Sequence, residues 1–229
     1  MMPGKYGDSG MIGKRENKGF TLIELLVAMA VVSIVMAAVV SAYQLQVRGK
    51  NTQDALTDMN QTARAALEIM TYEIRTAGCD PERTADAGIV AATTTANQLD
   101  FTMDIGDGAS FEPDGDLDDP NEQVSYLLNS GNLCRDTGGG PMALARNVDA
   151  LNFVYLDEDG NITGTMADVR AIQVAIVARA GQAAGGFMHS YTDTRQYLNI
   201  QGAPIFGPAN DSFRRLLLTK TITCYNMAN

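Results

Sequence analysis

One carboxylate stands where a carboxylate is expensive. From Phe20 to Tyr43 the chain runs FTLIELLVAMAVVSIVMAAVVSAY, 24 residues whose single charge is Glu24. In lipid such a group needs a partner or a reason, and what it offers is a counter-charge for a cation in a dry place. A second set of oxygens lies in the acidic stretch from Asp104 to Glu122, densest at DGDLDDPNE. Asp114, Asp116, Asp118 and Glu122 could converge there on a hard cation such as Ca²⁺, which takes about six to eight oxygens. The match to an EF-hand loop is partial, with Asp119 at the sixth place instead of Gly and Ser125 at the twelfth instead of Glu. The plain alternative is a solvated acidic loop, and no cofactor is required.

The remaining reactive residues are few. Cys79, Cys134 and Cys224 allow one internal disulfide and a choice of pairs if their domain lies outside the cytoplasm. Cys79–Cys224 is expected over Cys134–Cys224, because it would clamp a helix end to the last strand. His189 is the only histidine, so it builds no metal cluster, and no cysteine stands at a recognisable catalytic spacing from it. The Asp and Ser residues form no nucleophile–base or paired-acid pattern; choosing Glu73 or Asp157 would be a guess, and no enzyme is expected. The net charge is −10, with +2 on residues 1–19 and −12 on the rest. That balance offers no cationic footprint for nucleic acid.

The elements that must carry these groups follow from periodicity. As a helix, residues 20–43 rise about 36 Å, enough for a hydrocarbon core of roughly 30 Å. The run is too long for a secretory signal, and no small-residue cleavage site follows it. Lys14, Arg15 and Lys18 against Glu16 place the preceding side in the cytoplasm and the bulk of the chain outside. Helix is expected to continue from Gln44 to Ala77, a stretch without proline. Leu56, Met59, Ala63, Ala66, Leu67, Met70 and Ile74 make its apolar face, and Asp54, Asp58, Arg64, Glu68 and Arg75 its solvated one. Gly49 weakens the run by about 1 kcal/mol. Gly78, backed by Pro81, is the expected stop. Unbroken, residues 21–77 would form a rod of about 85 Å.

Beyond Pro81 the period changes to two. Strands are expected over Leu99–Ile105, with Asp100, Thr102 and Asp104 outward, and over Val124–Leu128, Leu151–Tyr155, Ile172–Ala178 and Leu216–Tyr225. Asp157 to Asn161 reads as a turn, and residues 181–213, rich in Gly, Pro and Asn, as a long loop or lobe. A sheet with one apolar face, covered by the face of helix 56–74, gives an α+β layer.

Gly19-Phe20-Thr21-Leu22-Ile23-Glu24 after a basic leader resembles the processing signal of type IV pilins and type II secretion pseudopilins. The resemblance implies a pilin fold, a long N-terminal helix packed on an antiparallel β-sheet. It implies cleavage by a prepilin peptidase between Gly19 and Phe20 and methylation of the new N-terminus. Residues 1–19 would then be the removed leader, 20–43 the transmembrane and assembly half of the helix, 44–78 its amphipathic half, and 79–229 the globular domain. In those families the Glu at the place of Glu24 meets the α-amine of a neighbouring subunit, two charges neutralising each other in an apolar filament core. Many major pilins have a helix-breaking proline where this chain has Ser41.

The runs Tyr72–Gly78, Asn147–Tyr155, Arg170–Ala178 and Arg214–Asn226 are similar to PilW-type minor pilins and, more loosely, to J-type pseudopilins. By that likeness the chain would prime or cap pilus assembly. Its partners would be other minor and major pilins and the inner-membrane assembly platform. Its location would be the inner membrane, single-pass with the C-terminal domain in the periplasm, and then the pilus. A secretion pseudopilin and a pilus-tip adhesion module, with residues 181–213 as its surface, are the alternative roles.

Overall fold

The computed structural model describes residues 19–106, 112–183, 185–186 and 189–228. The basic residues through Lys18 and residues 107–111 of the acidic stretch lie outside them. The chain divides into two units, Met1–Val47 and Arg48–Asn229. One helix, α1 (Leu22–Thr76), passes through both.

In the first unit every described side chain from Gly19 to Val47 is exposed. By length and composition this helix is able to cross a membrane. Its two serines do not interrupt it. Ser33 Oγ donates to Met29 O and Ser41 Oγ to Ala37 O, each at 2.8 Å, so both hydroxyls are satisfied within the helix. The backbone stays helical through Ser41.

In the second unit α1 buries Met59, Ala63, Ala66, Leu67, Met70, Thr71 and Ile74, the expected apolar face with Thr71 added and Leu56 only half-buried at its edge. Thr71 fits because its hydroxyl donates to Leu67 O at 2.6 Å. The helix stops where glycine permits a left-handed residue: Gly78 has φ +75, and its N–H turns to Thr102 O. Asn226 Nδ2 reaches back to the last carbonyls, Arg75 O and Thr76 O, at 3.4 and 3.3 Å.

Two antiparallel sheets meet that face. The first is a meander, β1 (Leu99–Thr102), β2 (Gln123–Asn129), β3 (Asn132–Asp136) and β4 (Met142–Arg146), in the order β1-β2-β3-β4. Ser130 and Gly131, both at positive φ, make the two-residue turn between β2 and β3. The second sheet takes β5 (Val148–Leu156) and β6 (Ala171–Ala183). Two short pairs follow: β7 (Gly185–Gly186) with β8 (His189–Ser190), and β9 (Tyr197–Leu198) with β10 (Pro204–Phe206). The last strand, β11 (Phe213–Thr223), then pairs with β6 and gives the order β11-β6-β5. Met70, Ile74, Phe101, Tyr126, Phe153, Val174 and Ile222 belong to one core between helix and sheets. The fold is α+β, as expected.

Three local expectations change. β1 ends at Thr102, because Met103 N turns to Glu122 O and Asp104 N to Cys79 O. Asp100 and Asp104 point into the protein and not outward: segment 88–90 bonds along the free side of β1, and Gln98 Nε2 holds the Asp100 carboxylate. Residues 191–213 fold back on the second sheet, where Tyr197, Ile205 and Phe206 pack with Ala150, Val177 and Leu217.

Candidate functional site

The signal residues stand at the very start of α1. Gly19 is in open space, and Phe20 is 91% exposed. Thr21 and Glu24 then close on each other as a capping box. Thr21 N donates to Glu24 Oε2 at 2.9 Å, Thr21 Oγ1 donates to the same oxygen at 2.7 Å, and Glu24 N approaches Thr21 Oγ1 at 3.4 Å. The charge that looked misplaced thus has a local reason, since a carboxylate at the first turn meets orphan N–H groups and the positive end of the helix dipole. Sequence reasoning missed this, although the Thr-x-x-Glu spacing is its signature. Among the described residues only Oε2 is engaged. Glu24 Oε1 remains open to a second donor, and a cut between Gly19 and Phe20 would leave Thr21 N–H in place.

The acidic stretch behaves differently from the expectation. Glu122 is fully buried and binds backbone, with Oε1 accepting from Ile105 N (3.0 Å) and Gly106 N (3.2 Å) and Oε2 from Asp119 N (3.1 Å). Asp104, also fully buried, accepts from Asp114 N and Gly115 N at 3.3 and 3.1 Å. Asp114 and Asp116 accept the N–H two residues on, in successive Asx turns. A hydrogen bond with Asp116, with repulsion from Asp116, Asp114 and Glu122, pushes the Asp118 carboxyl above its ordinary range. Among the described residues no three such side chains gather to hold a metal ion. Among the described residues Asp114, Asp116, Asp118 and Glu122 are thus not gathered round one point, and Glu122, the one buried member, accepts from backbone N–H groups.

The expected Cys79–Cys224 bond is also not made, and all three cysteines are free thiols. Cys224 lies in the core as a small apolar side chain, its thiol pushed up to about 12 by burial. Cys79 lies half-buried at the core's rim, its thiol raised by burial and by Asp104 and Asp80. The clamp between helix end and C-terminal segment is supplied by Asn226 on the helix carbonyls and by Met227, whose Sδ would stand 3.0 Å from a Cβ on Gly78.

Two long-range ionic groups escaped the sequence reading. Glu73 near the end of α1 pairs with Arg135 Nε at 3.0 Å and accepts the Tyr126 hydroxyl, joining the helix to β2 and β3. On the other sheet Arg215, its side chain only 2% exposed, gathers three carboxylates. Its Nε donates to Asp149 Oδ2 at 2.6 Å, Nη1 to Asp193 Oδ2 at 3.1 Å, and Nη1 and Nη2 to the two Asp211 oxygens at 2.6 Å each. Tyr197 OH and Arg195 Nε complete the Asp193 shell at 2.8 and 3.3 Å. Burial works to raise the Asp193 carboxyl, but its bonds from Tyr197 and Arg215 hold it below its ordinary value; Arg215 brings Asp211 down to about 2. This cluster fastens residues 193–213 to the outer face of the sheet. Only its Arg and Asp types, not their meeting, are visible in sequence.

Residues 14–40 match the model of the prokaryotic N-terminal methylation motif. The fold resembles that of a type IV-like pilin from Thermus thermophilus, with a TM-score of 0.51 and 14% sequence identity over 74% of this chain and 97% of the other. At that identity the likeness is one of fold. No curated protein matches the chain in sequence.

Proposed function

We propose that the chain is a minor pilin of the PilW type, cut between Gly19 and Phe20, methylated on Phe20, and inserted into a pilus through its N-terminal helix, where it primes or caps assembly. The observation that carries this reading is the placing of the methylation motif. It overlies the start of a helix that exposes its apolar residues through Val47 and then packs its second half on its own sheets. A monomer with so much uncovered apolar surface needs lipid or like helices around it. Glu24 gives that packing a register. One oxygen is held by Thr21, and the other is open to the α-amine of a neighbouring subunit, so that neither charge is buried alone. Prepilin peptidase, other minor and major pilins and the inner-membrane assembly platform are the partners this role requires, with the domain after the helix in the periplasm until assembly.

Deleting the gene and imaging surface filaments tests the role. Loss or sharp reduction of filaments, restored by the wild-type gene and restored poorly by Glu24→Ala, is the expected result. Normal filaments with failed protein secretion would move the chain to the pseudopilins.

A further inference from the structure

Asparagine, any residue but proline, then Ser or Thr is the acceptor pattern for N-linked glycans, and it belongs on exposed loops of exported chains. Three places fit it: Asn60-Gln61-Thr62, Asn161-Ile162-Thr163 and Asn210-Asp211-Ser212. The structure separates them sharply. Asn60 lies inside α1, and its Nδ2 donates to Leu56 O at 2.8 Å, so its amide is engaged on a rigid backbone. Asn210 is held left-handed at φ +54, donates to Pro208 O at 3.4 Å, and precedes Asp211, which is locked to Arg215.

The Asn161 side chain has none of these restraints. The residue stands in the connection between β5 and β6, outside the named strands; Ile162 beside it makes one isolated bridge to Leu156, with Thr163 N donating to Tyr155 O at 2.9 Å, so presenting it opens a single bridge and no strand of the main sheets. Asp157 fixes its backbone: Asp157 Oδ1 accepts Asn161 N at 2.8 Å, and Asp157 N donates to Asn161 O at 2.9 Å. The Asn161 carboxamide itself is exposed and makes no hydrogen bond among the described residues. Ile162 is 64% exposed, and a Cβ built on Gly160 or Gly164 would meet nothing within 4 Å, so space is open on both sides. Thr163 Oγ1 accepts Thr165 N at 3.1 Å, which leaves its own proton free to donate.

We propose that Asn161 is an N-glycosylation acceptor for a membrane oligosaccharyl transferase using a polyprenyl-diphosphate-linked oligosaccharide. Asn161 Nδ2 attacks the anomeric carbon of the sugar. The new C–N bond forms as the C–O bond to diphosphate breaks, the polyprenyl diphosphate leaves with the bonding pair, and one amide proton passes to a base of the transferase. The assignment rests on the proposed export of this domain.

The test is peptide mass mapping of the full chain isolated from its own cells, from membranes and sheared filaments. Trypsin releases residues 147–170 with Asn161 in their only acceptor pattern. The expected result is a glycan mass on that peptide, lost in Asn161→Gln and Thr163→Val and kept in Thr163→Ser. The peptides bearing Asn60 (residues 51–64) and Asn210 (residues 196–214) stay unmodified. A bare 147–170 peptide in chains whose N-terminal peptide begins at Phe20 overturns the assignment and leaves export standing. A bare peptide in chains still beginning before Phe20 overturns both. A mass that persists in Asn161→Gln overturns the assignment alone.

Discussion

Thr21 Oγ1 lies 2.7 Å from Glu24 Oε2, and the Thr21 backbone N–H donates to the same oxygen. The one carboxylate of the apolar segment is therefore first of all the cap of its own helix, with one oxygen committed and one in reserve. Thr21→Val removes the hydroxyl and keeps the shape. The expected outcome is faster amide exchange at residues 22–25 of the full chain in detergent, with Thr21→Ser close to wild type. Unchanged exchange in the Val variant would show that the cap does not form in solution.

Arg215→Ala should be severe. It leaves Asp149, Asp193 and Asp211 facing one another without their shared cation, and breaking such a buried group costs about 3–5 kcal/mol. A large fall in the denaturation midpoint is expected, together with protease cutting inside residues 193–213 ahead of the rest. A midpoint within error of wild type would contradict the assigned role.

The same cluster sets an acid limit. Asp193 and Asp211 are both held below their ordinary range, Asp211 at about 2, so their contribution is complete above the unfolded carboxyl pKa of about 3.9 and is lost as pH falls toward 2. Melting temperatures measured from pH 7 to pH 2 should show this loss between about pH 4 and pH 2. Asp211→Asn, already lacking one carboxylate, should show a shallower fall over that window. An equal slope in the two proteins would remove Asp211 from the account.

Glu122→Ala strips an acceptor from three backbone donors, Ile105, Gly106 and Asp119. Each unmet buried donor costs about 1–3 kcal/mol, so a loss on the order of 3 kcal/mol or more is expected in chemical denaturation. A loss below about 1 kcal/mol would mean that water reaches these groups.

The cysteines should read as thiols. Mass spectrometry of a non-reduced digest is expected to give Cys79, Cys134 and Cys224 as free residues. On the native protein, alkylation should reach Cys79 well before buried Cys134 and Cys224. A linked Cys79–Cys224 peptide pair would restore the bridge expected from sequence.

What could be read from sequence was what is written in local spacing. The face from Met59 to Ile74 is visible because each buried residue follows another by three or four places, and β5, β6 and β11 because Phe153, Val174 and Ile222 fall on alternating runs. β3 and β4 were missed: NLCRD and MALAR are short and do not alternate cleanly, since Leu133 and Cys134 are buried side by side. Asp104 and Glu122 looked like solvated charge or metal ligands, because a carboxylate held by backbone N–H groups across a loop has the same sequence as one facing water. Arg215 and its three aspartates are separated by up to 66 positions, and only the folded sheet brings them together. The pairing of Thr21 with Glu24 was legible at a spacing of three.

The central claim is that this chain is a processed subunit of a pilus-type filament. The most direct measurement is the mass of its N-terminal tryptic peptide in sheared surface filaments. Trypsin cuts after Lys18 and Arg48, so an unprocessed chain yields a peptide beginning at Gly19 and a processed one a peptide beginning at Phe20. Phe20 with one added methyl on its amine is the expected result. A peptide beginning at Gly19, or a chain absent from filaments and present only as an uncut membrane protein, would contradict it.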